Sequence, residues 1–411
     1  MQLSRTQLGL VIAVGVLVTF LASAIKGSYQ VYFVDLVEQF GIGRGHFALT
    51  GAVFGLSIGL VSPLVGWVCD RFGAIQTIFS GAVVTALVFA SLAYVDWFPL
   101  FLLLYGLLAA YALAAMTFVP LGLLVDRVFS HEHKGMAFAA ITNGTAIGFM
   151  VLSPLWVWLN EFLSWTHVCL LIAAVFAFGV VPAVLALQRT LPAILPTHSD
   201  EDDIPTDRIR DELLKPAFLL LAISFAGCGA SMAYIDVHLV PMMQQVLDGS
   251  EAKTEIIASS LSVLGAAELI GAFIVGWLLR YFKPGLFLAG LYGLRAASMF
   301  LIAQVDSAPV FWLFAILFGL TYMGTVIITS MLCLKFYGEK IKGKMFGLLF
   351  TIHQISVFAT IWSGGVAFDL MGNYHAVTIG VALFCCFSAV TGLLLHGWQK
   401  REEHRADELL A

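Results

Sequence analysis

Residues 53–67 read VFGLSIGLVSPLVGW, and residues 263–277 read VLGAAELIGAFIVGW. Val53, Gly55, Val65, Gly66 and Trp67 recur at the same spacing 210 residues later, as Val263, Gly265, Val275, Gly276 and Trp277. With their flanks (47–68 and 256–279), both stretches reach the roughly 20 apolar residues that a helix needs to cross the hydrocarbon. A membrane helix repeated half a chain apart implies two bundles of like build, related by an axis along the membrane normal.

Working outward, further apolar runs fall at 8–34, 74–95, 98–124, 136–158, 166–188, 217–245, 285–305, 309–335, 344–368 and 376–398, twelve in all with the two repeats. The repeat pairs span two with span eight. The chain therefore reads as an all-α membrane protein: one six-helix bundle over 1–188, a linker at 189–216, a second bundle over 217–398 and a tail at 399–411. The linker holds Pro192, Pro196, Pro205 and the acidic run at 200–203, which reads as solvated, with a short surface helix at 207–215. Composition agrees. The 411 residues are 60% hydrophobic and only 11% charged, whereas soluble domains are about a quarter charged. Disorder needs the opposite balance, and a net charge of −5 argues against a nucleic-acid partner. Ala22-Ser23-Ala24 after an apolar run imitates a cleaved leader, but the apolar character continues, so an uncleaved first helix is expected. The six cysteines lie in or beside apolar runs without metal-ligand spacing, and read as small buried hydrophobes.

Orientation follows from the basic residues. Seventeen of the 21 Lys and Arg fall in segments on one side, if the N-terminus is on that side; the other side holds only Arg44 and Lys253. By the positive-inside rule both termini are expected in the cytoplasm, in the cell membrane (the inner membrane of a Gram-negative cell). Lys26 and Arg295 remain, inside spans.

After the second span comes Gly66-Trp67-Val68-Cys69-Asp70-Arg71-Phe72-Gly73. Gly66 suits close helix approach, Asp70 and Arg71 can pair or cap, and Gly73 suits a turn, so Gly66, Asp70, Arg71 and Gly73 form a candidate gate. This stretch resembles the G-x-x-x-D-R-x-G signature of the major facilitator superfamily, in its usual loop between helices two and three. The second-half counterpart keeps Gly276 but has Arg280 in place of the acid.

A narrower resemblance runs along the chain. Phe33-Val34-Asp35-Leu36, Lys134-Gly135-Met136-Ala137 with Gly144 and Gly148, His238-Leu239-Val240-Pro241, and Phe346-Gly347 through His353-Gln354 to Phe368-Asp369 are similar to bacterial monocarboxylate porters and oxalate–formate antiporters. Two features of proton-coupled drug exporters are missing: residues 101–105 before Gly106 contain no Arg, and Gly148 is followed by Phe149 rather than Pro. Gly51, Gly55 and Gly59, like Gly144 and Gly148, have the spacing of close helix packing. Asn143-Gly144-Thr145 matches a glycosylation sequon but falls within a span.

Ionisable groups inside spans are costly and so are candidates by default. Glu268 and Arg295 each lie twelve residues from the turn at 280–283, roughly 18 Å at helical rise. Equal depth on consecutive helices allows a structural ion pair, or a proton-titrating Glu268 tuned by Arg295. The resemblance to monocarboxylate porters implies an acid at Glu268, but Ala272 stands where those porters carry a substrate-binding Arg. It also implies a substrate- or proton-linked role for Lys26, against which stand a structural pair with Asp236 or snorkelling. Phe350-Thr351-Ile352-His353 is similar to the Tyr-Thr-x-Lys stretch of oxalate–formate antiporters and places His353 at the Lys; the alternative is a satisfied core histidine. His238 reads as structural. The resemblance puts helices one, four, seven and ten around the cavity, so Tyr29, Tyr111, Tyr234 and Tyr322, with Asn143, are further substrate-binding candidates beside ordinary packing.

The expectation is a secondary transporter for a small organic anion, a monocarboxylate or related carboxylate, coupled to protons and working as a monomer. Lys26 and His353 would neutralise the substrate, and Glu268 with Arg295 would couple the proton. The alternatives are a carrier of a larger amphipathic compound and a non-transporting sensor. No nucleotide loop is present, the cluster His131-Glu132-His133 reads as surface, and no enzyme activity, cofactor or metal is expected.

Overall fold

The computed structural model describes residues 4–191, 206–304 and 307–410. Pro192, Pro196, Pro205 and the acidic run at 200–203 lie outside these residues, as do the side chains of His131 and Asp207. Twelve helices are long and apolar enough to cross a membrane: α1 Arg5–Phe40, α2 Arg44–Phe72, α3 Ala74–Leu92, α4 Phe98–Val128, α5 Glu132–Leu159, α6 Trp165–Thr190, α7 Pro216–Val246, α8 Lys253–Leu278, α9 Pro284–Gln304, α10 Ala308–Gly338, α11 Ile341–Met371 and α12 His375–Arg401. No strand occurs among the described residues. All the helices outrun the apolar runs read from the sequence or match them to within a few residues, because polar flanks continue the turns beyond the hydrocarbon. The short helix expected near 207–215 is Thr206–Leu213. Where a loop was expected between spans ten and eleven, the two helices nearly fuse, broken only by Gly338 at φ +69°.

Three spans widen locally into π-type turns, at Leu104–Ala109 in α4, Phe176–Val180 in α6 and Tyr234–His238 in α7. Small residues set the closest helix contacts. A Cβ on Gly144 would meet the Val16 carbonyl at 2.8 Å, and one on Gly148 the Phe20 carbonyl at 2.4 Å, so α5 lies against the backbone of α1. Five of the six cysteines are buried, as packing hydrophobes; Cys386, on the outer face of α12, is exposed.

The halves α1–α6 and α7–α12 meet asymmetrically. At the end bearing the α1–α2 and α11–α12 turns, one apolar core runs through both halves and contains Phe33, Phe47, Tyr234 and Val240 together. Toward the termini it divides, leaving a separate cluster around Phe218, Leu288, Leu332 and Met345 in the second half and another around Val65 and Cys69 in the first. Polar contacts follow the same rule. Gln30 donates to the Ile235 carbonyl at 2.7 Å, Gln244 to Val31 at 3.3 Å and Ser262 to Met150 at 3.2 Å. The molecule is closed at one end and parted at the other.

Candidate functional site

The seam between the halves carries one ion pair at mid-depth. Lys26 Nζ of α1 lies 2.8 Å from Asp236 Oδ2 of α7, with side chains 42% and 21% exposed. The other oxygen, Oδ1, accepts from the Tyr322 hydroxyl of α10 at 3.1 Å. Asp236 sits within the π-type turn of α7, and such turns often mark functional positions. One helical turn along α1 from Lys26, Gln30 donates to the Ile235 carbonyl of that same turn. A single turn of α1 therefore docks on a single widened turn of α7.

Glu268 of α8 is only 6% exposed and makes no hydrogen bond or ion pair with any described residue. The charges that act on it belong to Asp236 and Lys26. The pairing with Arg295 that equal depth allowed does not form. Both helices pack on α10: Glu268 beside Gly319, and Arg295 on the Phe318 ring, 4.9 Å from guanidinium carbon to centroid. Arg295 is fully buried and spends its donors there. Nη2 reaches the carbonyls of Thr321 (2.8 Å) and Tyr322 (3.2 Å) and the Thr325 hydroxyl (3.3 Å); Nε reaches Thr321 Oγ1 (3.1 Å) and Nη1 reaches Ser231 Oγ (2.9 Å). Arg295 thus fastens α9 to α10 and α7 and, among the described residues, makes no ion pair with Glu268.

The other candidates separate. Tyr322 belongs to the central cluster through Asp236. Tyr29 does not: its hydroxyl accepts from the Gly51 N–H at 3.1 Å and lies 3.4 Å from the Phe47 carbonyl, and its ring stacks on Tyr105 in the core of the first half. Tyr234 is equally engaged, 2.6 Å from the Thr378 hydroxyl, and Tyr111 pairs with Ser80 of α3 at 2.9 Å. Asn143 is half-buried in α5 and makes no side-chain hydrogen bond with any described residue. His353 is buried against Phe225 and Phe350, with Nδ1 3.2 Å from Gln354 Oε1 and Nε2 unpartnered. His238 lies 2.8 Å from the Ile361 carbonyl, tying α7 to α11. Glu132, His133 and every other described residue fail to form a metal-binding group.

In the candidate gate, Gly73 caps α2 at φ +95°, a conformation that favours glycine, and its N–H donates to the Cys69 carbonyl at 2.8 Å. Gly66 faces open space, with nothing within 4 Å of a Cβ there. The close approach expected of it is absent because the halves are parted at this end. Asp70 is half-buried and has no partner among the described residues, and Arg71 is exposed, 5.8 Å from the Phe72 ring.

At the closed end, Asp369 of α11 accepts from the backbone N–H groups of Arg44 (2.8 Å) and Gly45 (2.7 Å), which begin α2. The Arg44 guanidinium stacks on Phe368 at 3.6 Å and donates to the Tyr374 hydroxyl at 3.1 Å. Burial pushes that phenol up to about 12, which keeps it neutral at physiological pH. This contact joins two positions 325 residues apart and was not read from the sequence; the only signal was an acid closing a span whose partner span begins without a side-chain cap. A pocket of about 570 Å³ beside it is lined by Asp35, Glu38, Glu161, Asp248, Arg44 and Lys253 among others. Lys26, Asp236, Glu268, Arg295, Tyr322 and His353 do not line it.

Comparison with known proteins gives a consistent frame. The family model of the Major Facilitator Superfamily matches residues 15–361. The MFS-type transporter YcxA of Bacillus subtilis (strain 168) is 24% identical over 397 residues, covering 93% of this chain and 94% of that one. Monocarboxylate transporter 12 of Xenopus laevis is 23% identical over 405 residues, covering 92% and 86%. The crystal structure of a bacterial homologue of the human lysosomal transporter Spinster, inward-facing and unoccupied, superposes with a TM-score of 0.74 at 13% identity, over 95% of this chain and 97% of that one. A chain of twelve spans in two bundles, parted at one end, with this family match over most of its length, belongs to the major facilitator superfamily.

Proposed function

We propose that this chain carries a small carboxylate-bearing solute across the cell membrane by alternating access, with Glu268 carrying a coupled proton. The observation behind this reading is the central cluster: a cross-half pair of Lys26 and Asp236, half-open to solvent, beside a buried carboxyl that has no partner. Lys26 is the one mid-depth cation whose donors are not all committed to backbone and hydroxyl groups, so it is the group to receive a carboxylate. A carboxyl without a partner in an apolar bundle is stable when protonated and is ready to ionise when the surroundings rehydrate. With the termini in the cytoplasm, the parted end faces inward and the conformation is the inward-open one. The relatives named monocarboxylate transporters support the solute class.

Uptake of labelled short carboxylates into vesicles, with lactate, pyruvate, glycine and β-alanine in one panel, with and without a pH gradient, tests this. Gradient-stimulated uptake that Lys26→Ala abolishes is the expected result. Absence of gradient-dependent uptake across the panel, with Lys26→Ala inert, would sink it.

A second reading keeps the fold and enlarges the cargo to an amphipathic compound. Ala272 favours it, since a small apolar residue stands where the porters it resembles carry an Arg, and Arg295 does not fill that role. A deletion strain hypersensitive to unrelated toxic compounds would favour this reading over the first.

A further inference from the structure

Away from the helix ends, the Asp, Glu, Lys and Arg side chains of the described spans are four: Lys26, Asp236, Glu268 and Arg295. Arg295 is fully buried and makes five hydrogen bonds to α7 and α10, so it offers a solute nothing. The accessible remainder is Lys26 already matched by Asp236, with Glu268 adding either no charge or one more negative charge. A simple monoanion entering this site finds no accessible cation that lacks a counter-ion. To reach Lys26 it must displace Asp236, whose carboxylate would then lose its counter-ion in a low-dielectric seam. Breaking one partner of a buried pair in that way is costly.

A solute with its own cation removes the difficulty. Its carboxylate takes Lys26, and its ammonium or amidinium group takes Asp236, which Tyr322 already holds in place through Oδ1. Lys26 and Asp236 then each keep an oppositely charged partner. We infer that the site selects zwitterions, small molecules bearing both a carboxylate and a cationic nitrogen, by opening the Lys26–Asp236 pair and inserting between its members. This inference rests on the proposal that the central cluster binds a carboxylate-bearing solute, and it narrows that solute's class. It also links occupancy to movement, because the pair that the solute opens is the only ion pair joining the two halves among the described residues.

The test is calorimetric titration of the purified full-length protein with glycine, β-alanine and γ-aminobutyrate, each beside its des-amino acid and its matched amine. In the wild type, at least one amino acid should bind about tenfold or more tightly than both of its singly charged counterparts, a difference of about 1.4 kcal/mol. Asp236→Asn should erase that preference and raise affinity for the des-amino acid, because it frees Lys26. Since a single charge change can disturb folding, the exchanged pair Lys26→Asp with Asp236→Lys serves as the second variant, and it should regain the zwitterion preference. Des-amino acids binding as tightly as amino acids in the wild type would overturn the inference while leaving a carboxylate carrier standing. Binding by neither series, together with no carboxylate uptake in vesicles, would overturn both.

Discussion

Asp369 and Arg44 meet at the first turn of α2, where the carboxylate accepts the Arg44 N–H at 2.8 Å and, through its second oxygen, that of Gly45 at 2.7 Å. Gly43, at the cap position, has no side chain to satisfy those donors, so a residue of the opposite half caps the helix. The negative charge also lies at the positive end of the α2 dipole. Hydrogen bonds to a charged group are worth about 1.5–3 kcal/mol each. Two such bonds set a ceiling of about 3–6 kcal/mol, lowered by solvent at the exposed Arg44 bond, so Asp369→Ala should destabilise the closed end by about 2–4 kcal/mol. Alkylation of a cysteine placed at Val31, in a background with Cys386→Ser, measures this. The rate should rise at least about tenfold with Asp369→Ala, and an unchanged rate would remove the latch role.

Arg295 holds the second half together without being available to a ligand. Arg295→Ala deletes five hydrogen bonds and the contact with Phe318, and Arg295→Lys restores three donors at most. We expect the melting temperature to fall clearly in both, with a loss of about 2–4 kcal/mol for the alanine variant. Thermal unfolding followed by size-exclusion fluorescence reads this. A stable Arg295→Ala protein that has lost only proton coupling would instead return Arg295 to the coupling machinery.

Glu268→Gln preserves shape and removes the titrating proton. Net uptake driven by a pH gradient should drop by about tenfold or more, while solute exchange at equal pH stays within about twofold. Counterflow assays in proteoliposomes separate the two. If gradient dependence survives the substitution, the proton travels elsewhere.

Gly66 and Gly148 make opposite predictions. A side chain at Gly148 would collide with the Phe20 carbonyl at 2.4 Å, so Gly148→Val should lower expression and thermal stability outright. Gly66 has open space around it here, so Gly66→Val should leave stability within about 0.5 kcal/mol. If the parted end closes during transport, the same variant should still reduce turnover. Equal turnover in wild type and Gly66→Val would mean that this glycine makes no close approach in any state.

Spans were readable because hydropathy depends on composition along one dimension. Position along a span was readable too, since rise per residue is constant: Glu268 lies ten residues before the end of α8 and Arg295 eleven after the start of α9. Azimuth was not. Whether those two side chains face each other depends on how α8 and α9 lean on α10, and the packing at Gly319 and Phe318 puts them on different surroundings. The hydroxyls of Tyr29 and Tyr234 bond away from the Lys26–Asp236 pair for the same reason, since helix number says nothing about the direction of a hydroxyl. Asp236 was recognised only as one possible partner for Lys26. Its placement depends on a widened turn in α7, for which local sequence carries no clear mark.

Most polar contacts across the seam have a side chain on one side and only backbone on the other. Gln30 holds the Ile235 carbonyl, Gln244 holds that of Val31, Ser262 holds that of Met150, and Asp369 holds two amide groups of α2. Backbone atoms are the same whatever residue supplies them. Substitution at Ile235, Val31 or Met150 thus leaves the bond's chemistry intact, and no compensating change is demanded across the seam. Each half can drift at these positions without the other having to follow. Lys26 with Asp236, Thr254 with Glu161, and Arg44 with Tyr374 are different, because there both members must change together. Correlated substitution between the halves of related chains should therefore concentrate at those three pairs and be faint along the rest of the seam.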